Sequence, residues 1–344
     1  MSHPISTQVK NLRKLTRRAV TTALLTSGAL AATGCSRISR PFFSSDTHPA
    51  DYPTVEAVRM MSRSLEEKSN GKLSIRIYSG GQLGSERDTL ELTVFGGLDL
   101  NRVNLAPLNA FAPETLLLSL PFLFQSETHL RAVLDGAPGQ TVLDALEPHG
   151  LIGLCYYDSG ARSFYNVHRP IMTPEDMRGL KIRVQNSDLY VSMIEALGAN
   201  ATPMDLSEVY QGLMQRVIDG AENNWPSYES TRHFETAGFY SLTGHVMAPE
   251  VLVMSARSWQ RLSNEERELV RRCALESVPF MRARWDERVA ASRDRIVAAG
   301  TKINEVADIS AFSQLMRPVW DRFVKTAAQR RLLQQIIDMG ESHP

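Results

Sequence analysis

The sequence predicts an α/β protein built as two lobes joined by a long kinked helix. Three observations predict it. Short strands and helices alternate through the first two thirds of the chain, the order expected of an α/β fold with largely parallel pairing. The 344 residues suit two domains of ordinary size, although one large domain also fits. A helical pattern then runs from Ser263 to Gly300, about 50 Å at 1.5 Å per residue. That exceeds one small domain, and Pro279 inside it should kink or break it. A kinked helix crossing two lobes satisfies such a length.

The elements follow in order. Residues 36–50 are polar and read as a linker. A helix opens at Pro53, since proline suits a first turn, and Val55, Val58, Met61 and Leu65 form its apolar face. Asn70-Gly71 stops it. Lys72–Tyr78 alternates as a strand. Gly80-Gly81-Gln82-Leu83-Gly84 turns into a helix over Glu86–Phe95, and Leu98–Val103 is the next strand. Helices are expected near Thr128–Leu134 and Gln140–Leu146. Leu151–Tyr157 is a buried strand, and Ser163–Asn166 and 179–184 (GLKIRV) are shorter ones. Leu189, Met193 and Leu197 mark a helix ending at Gly198. Asp205 and Glu208 resemble a capping box, and Ser263 and Glu266 form a stronger one. Val217–Ala221 is a short strand. A last helix runs from Ser310 to Met339, with Pro318 as a kink.

Composition narrows the function. At 43% apolar and 22% charged the chain is globular, and a formal charge of zero argues against nucleic acid as a partner. The first 35 residues hold Lys10, Arg13, Lys14, Arg17 and Arg18 with no acid, then a mildly apolar run from Ala19 to Ala32. The run is too short to cross a membrane and reads as an export signal. Arg17-Arg18 fits a twin-arginine signal or an ordinary secretory one. Ala32-Thr33-Gly34-Cys35 resembles a bacterial lipobox, which would make Cys35 a lipidated N-terminus. Export removes five positive charges and leaves 33 basic against 38 acidic residues. Cys155 and Cys273 remain, too few for a disulfide framework, and both read as small buried residues.

Catalytic signatures are missing. No nucleophile elbow, zincin helix, Walker loop or dinucleotide fingerprint occurs, and the eight histidines show no metal-ligand spacing. No cofactor or metal is expected. Three clusters at strand ends stand out instead: Gly160–Asn166, Gly179–Gln185 and Asp219–Pro226. Ligands of open α/β sheets bind at such ends. The clusters offer guanidiniums at Arg162 and Arg183, amides at Gln185, Asn223 and Asn224, and the indole of Trp225. A guanidinium fork takes a carboxylate, amides take hydroxyls, and an indole face packs on a sugar ring. Each residue also has a plainer role. Arg183 has no acid within three positions and could be solvated. Arg162 could pair with Asp158 or Glu175. Asn223 could cap a helix at Trp225-Pro226, and Trp225 could be core.

These segments together resemble the extracytoplasmic substrate-binding proteins of TRAP transporters, the DctP-like family. The resemblance covers about Asp46 to Arg330. It rests on GGQLGSERD (80–88), LPFLF (120–124), GARSFYNVHRPIMTPEDMRGLKIRV (160–184), ALGANATPM (196–204), SEVYQGLMQRVIDGAENN (207–224) and HVMAPEVLVMS (245–255).

The resemblance implies a periplasmic clamshell with lobe I at 36–159 plus 249–288, lobe II at 160–248 plus 289–335, and a tail at 336–344. It implies Arg183 on the substrate carboxylate, with Arg162 and Asn223 assisting. His48, Glu86 and Asn104 are the candidates from the opposite lobe. THPADYP (47–53), NRVNLAPLN (101–109) and DGAENNWPSYESTRHFE (219–235) look more like the uronate-binding branch than the dicarboxylate branch. That branch implies glucuronate or galacturonate, with hydroxyls on Asn224 and Gln185. The implied partners are the small carboxylate and the TRAP permease, with a membrane contact only through a lipid on Cys35, and the implied state is a monomer. Two departures are Arg216, where glycine usually precedes V-I-D-G, and Leu206, where an aromatic residue is common. The rival reading is an exported sugar-acid lyase or hydrolase, with Glu222 or Glu86 as its general base.

Overall fold

The structure, a computed structural model, describes residues 40–342. The expected export signal and Cys35 lie outside the described residues. Among the described residues eleven strands form two sheets. They are β1 (Phe42–Ser45), β2 (Ile75–Tyr78), β3 (Leu100–Asn104), β4 (Leu151–Tyr157), β5 (Arg162–Asn166), β6 (Lys181–Val184), β7 (Asn200–Pro203), β8 (Gly220–Asn223), β9 (Phe239–Val246), β10 (Glu250–Ser255) and β11 (Lys302–Glu305). The first sheet has the order β2-β1-β3-β10-β4 and the second β11-β9-β5-β8-β6-β7. Every residue of β4 is buried, as its unbroken apolar run requires of a strand covered on both faces.

Pairing is mixed rather than largely parallel. β10 lies antiparallel between β3 and β4, and β5 lies antiparallel between β8 and β9. The cause is that the chain changes sheets at two short crossings before it reaches the long helix. It crosses from β4 to β5 through residues 158–161 and returns from β9 to β10 through residues 247–249. The two crossings run side by side in opposite directions, with Tyr157 against Glu250 on one sheet and Arg162 against Val246 on the other. Gly160 makes the first crossing possible. Its φ is +58°, and a Cβ there would stand 3.2 Å from the Trp285 ring.

The third connection is the long helix, Asn264–Ala298, capped reciprocally by Ser263 and Glu266. Its first two thirds bury Cys273, Val278, Met281 and Trp285 in the core around Tyr52 and β4. Its far end buries Ile296 against Tyr165, Tyr228 and Tyr240 of the second sheet's core. Pro279 does not break it. The carbonyl freed by the missing N–H belongs to Leu275, and both residues lie on the exposed side, where water replaces the lost bond.

Other expectations are also corrected. The 36–50 segment contains β1, held in the sheet by its pairing with β2 and β3. The last helix is three: Ile309–Gln314, Arg317–Phe323 with Pro318 in its first turn, and Ala327–Ser342. Residues 336–342 are no loose tail. Ile336 is buried, and its carbonyl lies 2.7 Å from His129 Nε2 on the helix Glu127–Asp135. The strands of the first sheet all fall within 36–159 and 249–288, and those of the second within 160–248 and 289–335.

Two backbone positions explain motif residues. A Cβ on Gly220 would meet the Tyr165 carbonyl at 2.3 Å, so the glycine of Asp219-Gly220 lets β8 close on β5. Arg216, the residue in the place of the usual glycine, has φ +60° just after the helix Leu206–Met214. A left-handed non-glycine residue costs about 1–2 kcal/mol, partly offset by the freer unfolded chain that glycine brings. Arg216→Gly should therefore raise stability by about 0.5–1 kcal/mol in urea denaturation; a loss of stability would show that the arginine side chain contributes more than its backbone costs.

Candidate functional site

The site forms where β6, β8 and the start of β5 end near the crossing segments. On β6, Ile182 and Val184 enter the core, and Lys181 is exposed. Arg183 is not solvated: it is only 3% exposed. Its Nε donates to the Met204 carbonyl at 2.8 Å, and no carboxylate among the described residues forms an ion pair with it. Burial pushes its pKa below the usual value. A guanidinium remains charged in proteins, so this cation is desolvated without compensation.

Arg162 is in the opposite condition. Nε and Nη2 donate to the two Glu222 carboxylate oxygens at 2.5 and 2.8 Å, and Nη1 donates to Asn223 Oδ1 at 3.0 Å. Burial alone would raise the Glu222 pKa, but Arg162 overrides it and holds the carboxyl down to about 2. The partner is thus Glu222, not Asp158 or Glu175. Asp158 is taken by Arg131 and Arg282. The Arg162–Glu222 pair is neutral and braces Asn223 beside the bare charge of Arg183.

The facing wall comes from the first sheet. Arg102, on β3, is fully buried and donates to Asp46 at 2.9 Å, Glu86 at 3.0 Å and Glu250 at 2.5 Å. Glu86 is brought there as the first residue of the helix Glu86–Phe95, whose start is fixed by the Ser85–Asp88 capping box. Its Oε1 also accepts the Asn104 N–H at 3.1 Å. Asn104 caps the helical turn Leu105–Leu108 and donates to Glu250 at 3.3 Å. His48 stacks on Tyr52 with centroids 3.8 Å apart, and its buried Nδ1 has no partner.

Seven of the nine residues expected to bind substrate line one small recess: Arg183, Arg162, Asn223, Gln185, His48, Glu86 and Asn104. The recess shares Arg183, Gln185, His48, Glu86 and Leu206 with a larger cleft cavity of about 520 Å³. Leu206 therefore does form part of the pocket wall. Asn224 and Trp225 are placed elsewhere. Asn224, not Asn223, caps the helix Trp225–Ser230 by accepting the Ser227 N–H at 2.8 Å, and its amide donates to Ser159. Trp225 stacks on Tyr240 with centroids 4.3 Å apart and lines a separate cavity of about 250 Å³. Successive residues at a strand end point to opposite sides, which separates Asn223 from Asn224.

Sequence reasoning missed Arg102, Asp46 and Glu250 as site residues. Arg102 and Asn104 share one face of β3, but the acids lie 56 and 148 residues away and leave no local signal. Glu222 stood only as a possible base, a role poorly served by a carboxylate held at about 2 by an arginine.

The buried imidazoles set a pH limit. Burial, aided by nearby guanidiniums, lowers His48 and His233 to about 3. The unfolded chain binds their protons below about pH 6.5, and the folded chain refuses them until about 3, so stability falls as pH drops through that window. Urea denaturation of the ligand-free protein should show about 1–3 kcal/mol less stability at pH 5.5 than at 7.5, with His233→Gln shrinking the difference; equal stability at the two pH values would contradict this placement.

Comparison with known proteins agrees with the geometry. Residues 44–326 match the family DctP, bacterial extracellular solute-binding protein, family 7. The chain is 45% identical over 278 residues to a solute-binding protein of Chromohalobacter salexigens, covering 81% of this chain and 83% of that one. Its fold is similar to the crystal structure of a TRAP periplasmic solute-binding protein from a Bradyrhizobium species in complex with alpha/beta-D-galacturonate, with 53% identity, a TM-score of 0.86, and coverage of 87% of this chain and 100% of that chain. It is also similar to one from Chromohalobacter salexigens with bound D-glucuronate, at 43% identity, a TM-score of 0.85, and coverage of 87% and 99%. Proteins of this kind are periplasmic and work with membrane permease subunits, and they are not enzymes. On this match the chain belongs to the DctP family of TRAP solute-binding proteins.

Proposed function

We propose that this protein captures a hexuronate, D-glucuronate or D-galacturonate, by closing two lobes around it, and delivers it to a TRAP permease. The observation that carries this reading is Arg183, a buried guanidinium whose fork has no carboxylate partner. A carboxylate supplies the missing charge and accepts both free nitrogens. Asn223, braced by Arg162, and Gln185, whose buried Oε1 has no partner, complete the grip on the acid and its neighbouring hydroxyls. Two similar proteins hold uronates, which favours a sugar acid over a C4-dicarboxylate.

Among the described residues the lobes divide at the crossing segments, as 40–159 with 249–288 and 160–248 with 289–326. Residues 327–342 go with the first lobe, because their helix packs on Glu127–Asp135. Contacts to both walls stabilise the closed form. Tyr52 Oη and Ser227 Oγ stand 2.8 Å apart across the division, and Asn109 donates to Ser187 at 3.0 Å. The protein acts as a monomer, and a lipid on Cys35 holds it beside the permease.

Arg183→Met tests the reading in two directions. It should weaken D-glucuronate or D-galacturonate binding by about thirtyfold or more, the usual loss when one partner of a buried charge pair is removed. It should leave ligand-free stability unchanged or higher, since an uncompensated buried charge has gone. Calorimetry and thermal unfolding read both. Full-affinity uronate binding by the variant would sink the assignment.

A further inference from the structure

Two walls of the recess carry opposite charge. On the second-sheet wall, Arg162 is neutralised by Glu222 and Arg183 is left positive. On the first-sheet wall one guanidinium, Arg102, faces three carboxyl groups. Asp46 and Glu250 are fully engaged: both Asp46 oxygens accept from Arg102, and Glu250 accepts from Arg102 and Asn104. Glu86 spends one oxygen on Arg102 and the Asn104 N–H, and its other oxygen takes no bond from the described residues. Burial raises the pKa of Glu86 against the pull of Arg102 and the Asn104 N–H; with Glu86 ionised the wall sets three carboxylates against one guanidinium. Among the described residues no second cation forms an ion pair with Asp46, Glu86 or Glu250. His48 is neutral, held to about 3 by burial, and its unpartnered Nδ1 offers only a hydrogen bond. The rim adds Asp88, Asp205 and Glu208 against one cation, Arg87, which pairs with Glu91.

We infer that Glu86, backed by Glu250, makes the site selective for monocarboxylic sugar acids and rejects the corresponding diacids. This rests on the uronate reading and deepens it. With one carboxylate on Arg183, the far end of the ligand meets the first-sheet wall. Hydroxyl groups there donate to Glu86 and to His48. A second carboxylate there meets like charge with no guanidinium free to take it, since all of Arg102 is committed. The same wall disfavours C4 diacids.

The test pair is D-glucuronate and D-glucarate; oxidation of C1 adds the second carboxylate and also opens the pyranose ring, so the open-chain monoacid L-gulonate is the control for shape. Isothermal titration calorimetry at pH 7.5 on the wild type should find D-glucarate bound at least about a hundredfold more weakly. Glu86→Gln keeps an oxygen for Arg102 and removes the charge; it should narrow the ratio of the two affinities tenfold or more. Glu250→Gln is the second variant, with the same expected direction, and thermal unfolding reports whether each folds. Affinities for the two acids within tenfold in the wild type would overturn the inference, as would an unchanged ratio in folded variants. If neither variant folds, the wild type compared on D-glucarate and L-gulonate decides: both are open-chain and differ only in the second carboxylate, and equal affinities would overturn the inference. Binding of neither acid would bring down the uronate reading, and the inference with it; uronate bound and diacid bound equally would bring down the inference alone.

Discussion

A buried guanidinium without a carboxylate partner is the interaction around which this protein is organised. Leaving Arg183 desolvated is costly, and a fold selected only for stability would pair it or remove it. Its neighbour shows the contrast. Arg162 is equally buried, yet it is neutralised by a bidentate Glu222 and an amide from Asn223. One arginine builds the wall, and the other is the group we propose for the carboxylate of the ligand. The Met204 carbonyl holds the Nε of Arg183 and thereby aims the rest of the fork.

The architecture supplies what that cation needs. Two antiparallel chain crossings and one long helix join the sheets, so closure can bring distant residues to one recess without disturbing either sheet. Gly160 lies over Trp285 where the first crossing meets the helix. The long helix is also tied across the division by charge: Arg288 meets Asp51 at 3.0 Å and Glu229 at 2.8 Å. The facing wall is the acidic one, with three carboxyl groups around Arg102. Its Arg102 cluster is closed on itself, apart from the free oxygen of Glu86.

Local signals were legible where local physics decides the outcome. The buried run of β4, the capping boxes at Asp205 and Ser263, and the alternation around Arg183 all lie within a few residues of sequence. Strands set by partners were not. β1 is four residues, Phe42–Ser45, in a polar stretch, and exists through its neighbours β2 and β3. β10 follows Pro249 and is antiparallel because the chain has just changed sheets, which no β-α-β pattern reveals. Within the site, Arg183, Arg162 and Asn223 came from motifs of the family, since composition and spacing left each with a plainer role. The Glu222 partner of Arg162 lies 60 residues away, and the acids on Arg102 come from three separate elements. Asn224 and Trp225 failed as cleft residues for the converse reason: one is spent on a helix cap and the other on Tyr240.

The most direct measurement is a crystal structure of the protein, residues 36–344, grown with D-galacturonate. The account predicts the sugar in the recess with both carboxylate oxygens on the Arg183 fork and its far hydroxyls toward Glu86 and His48. A ligand whose carboxylate lies on any other cation, with Arg183 untouched, would contradict it.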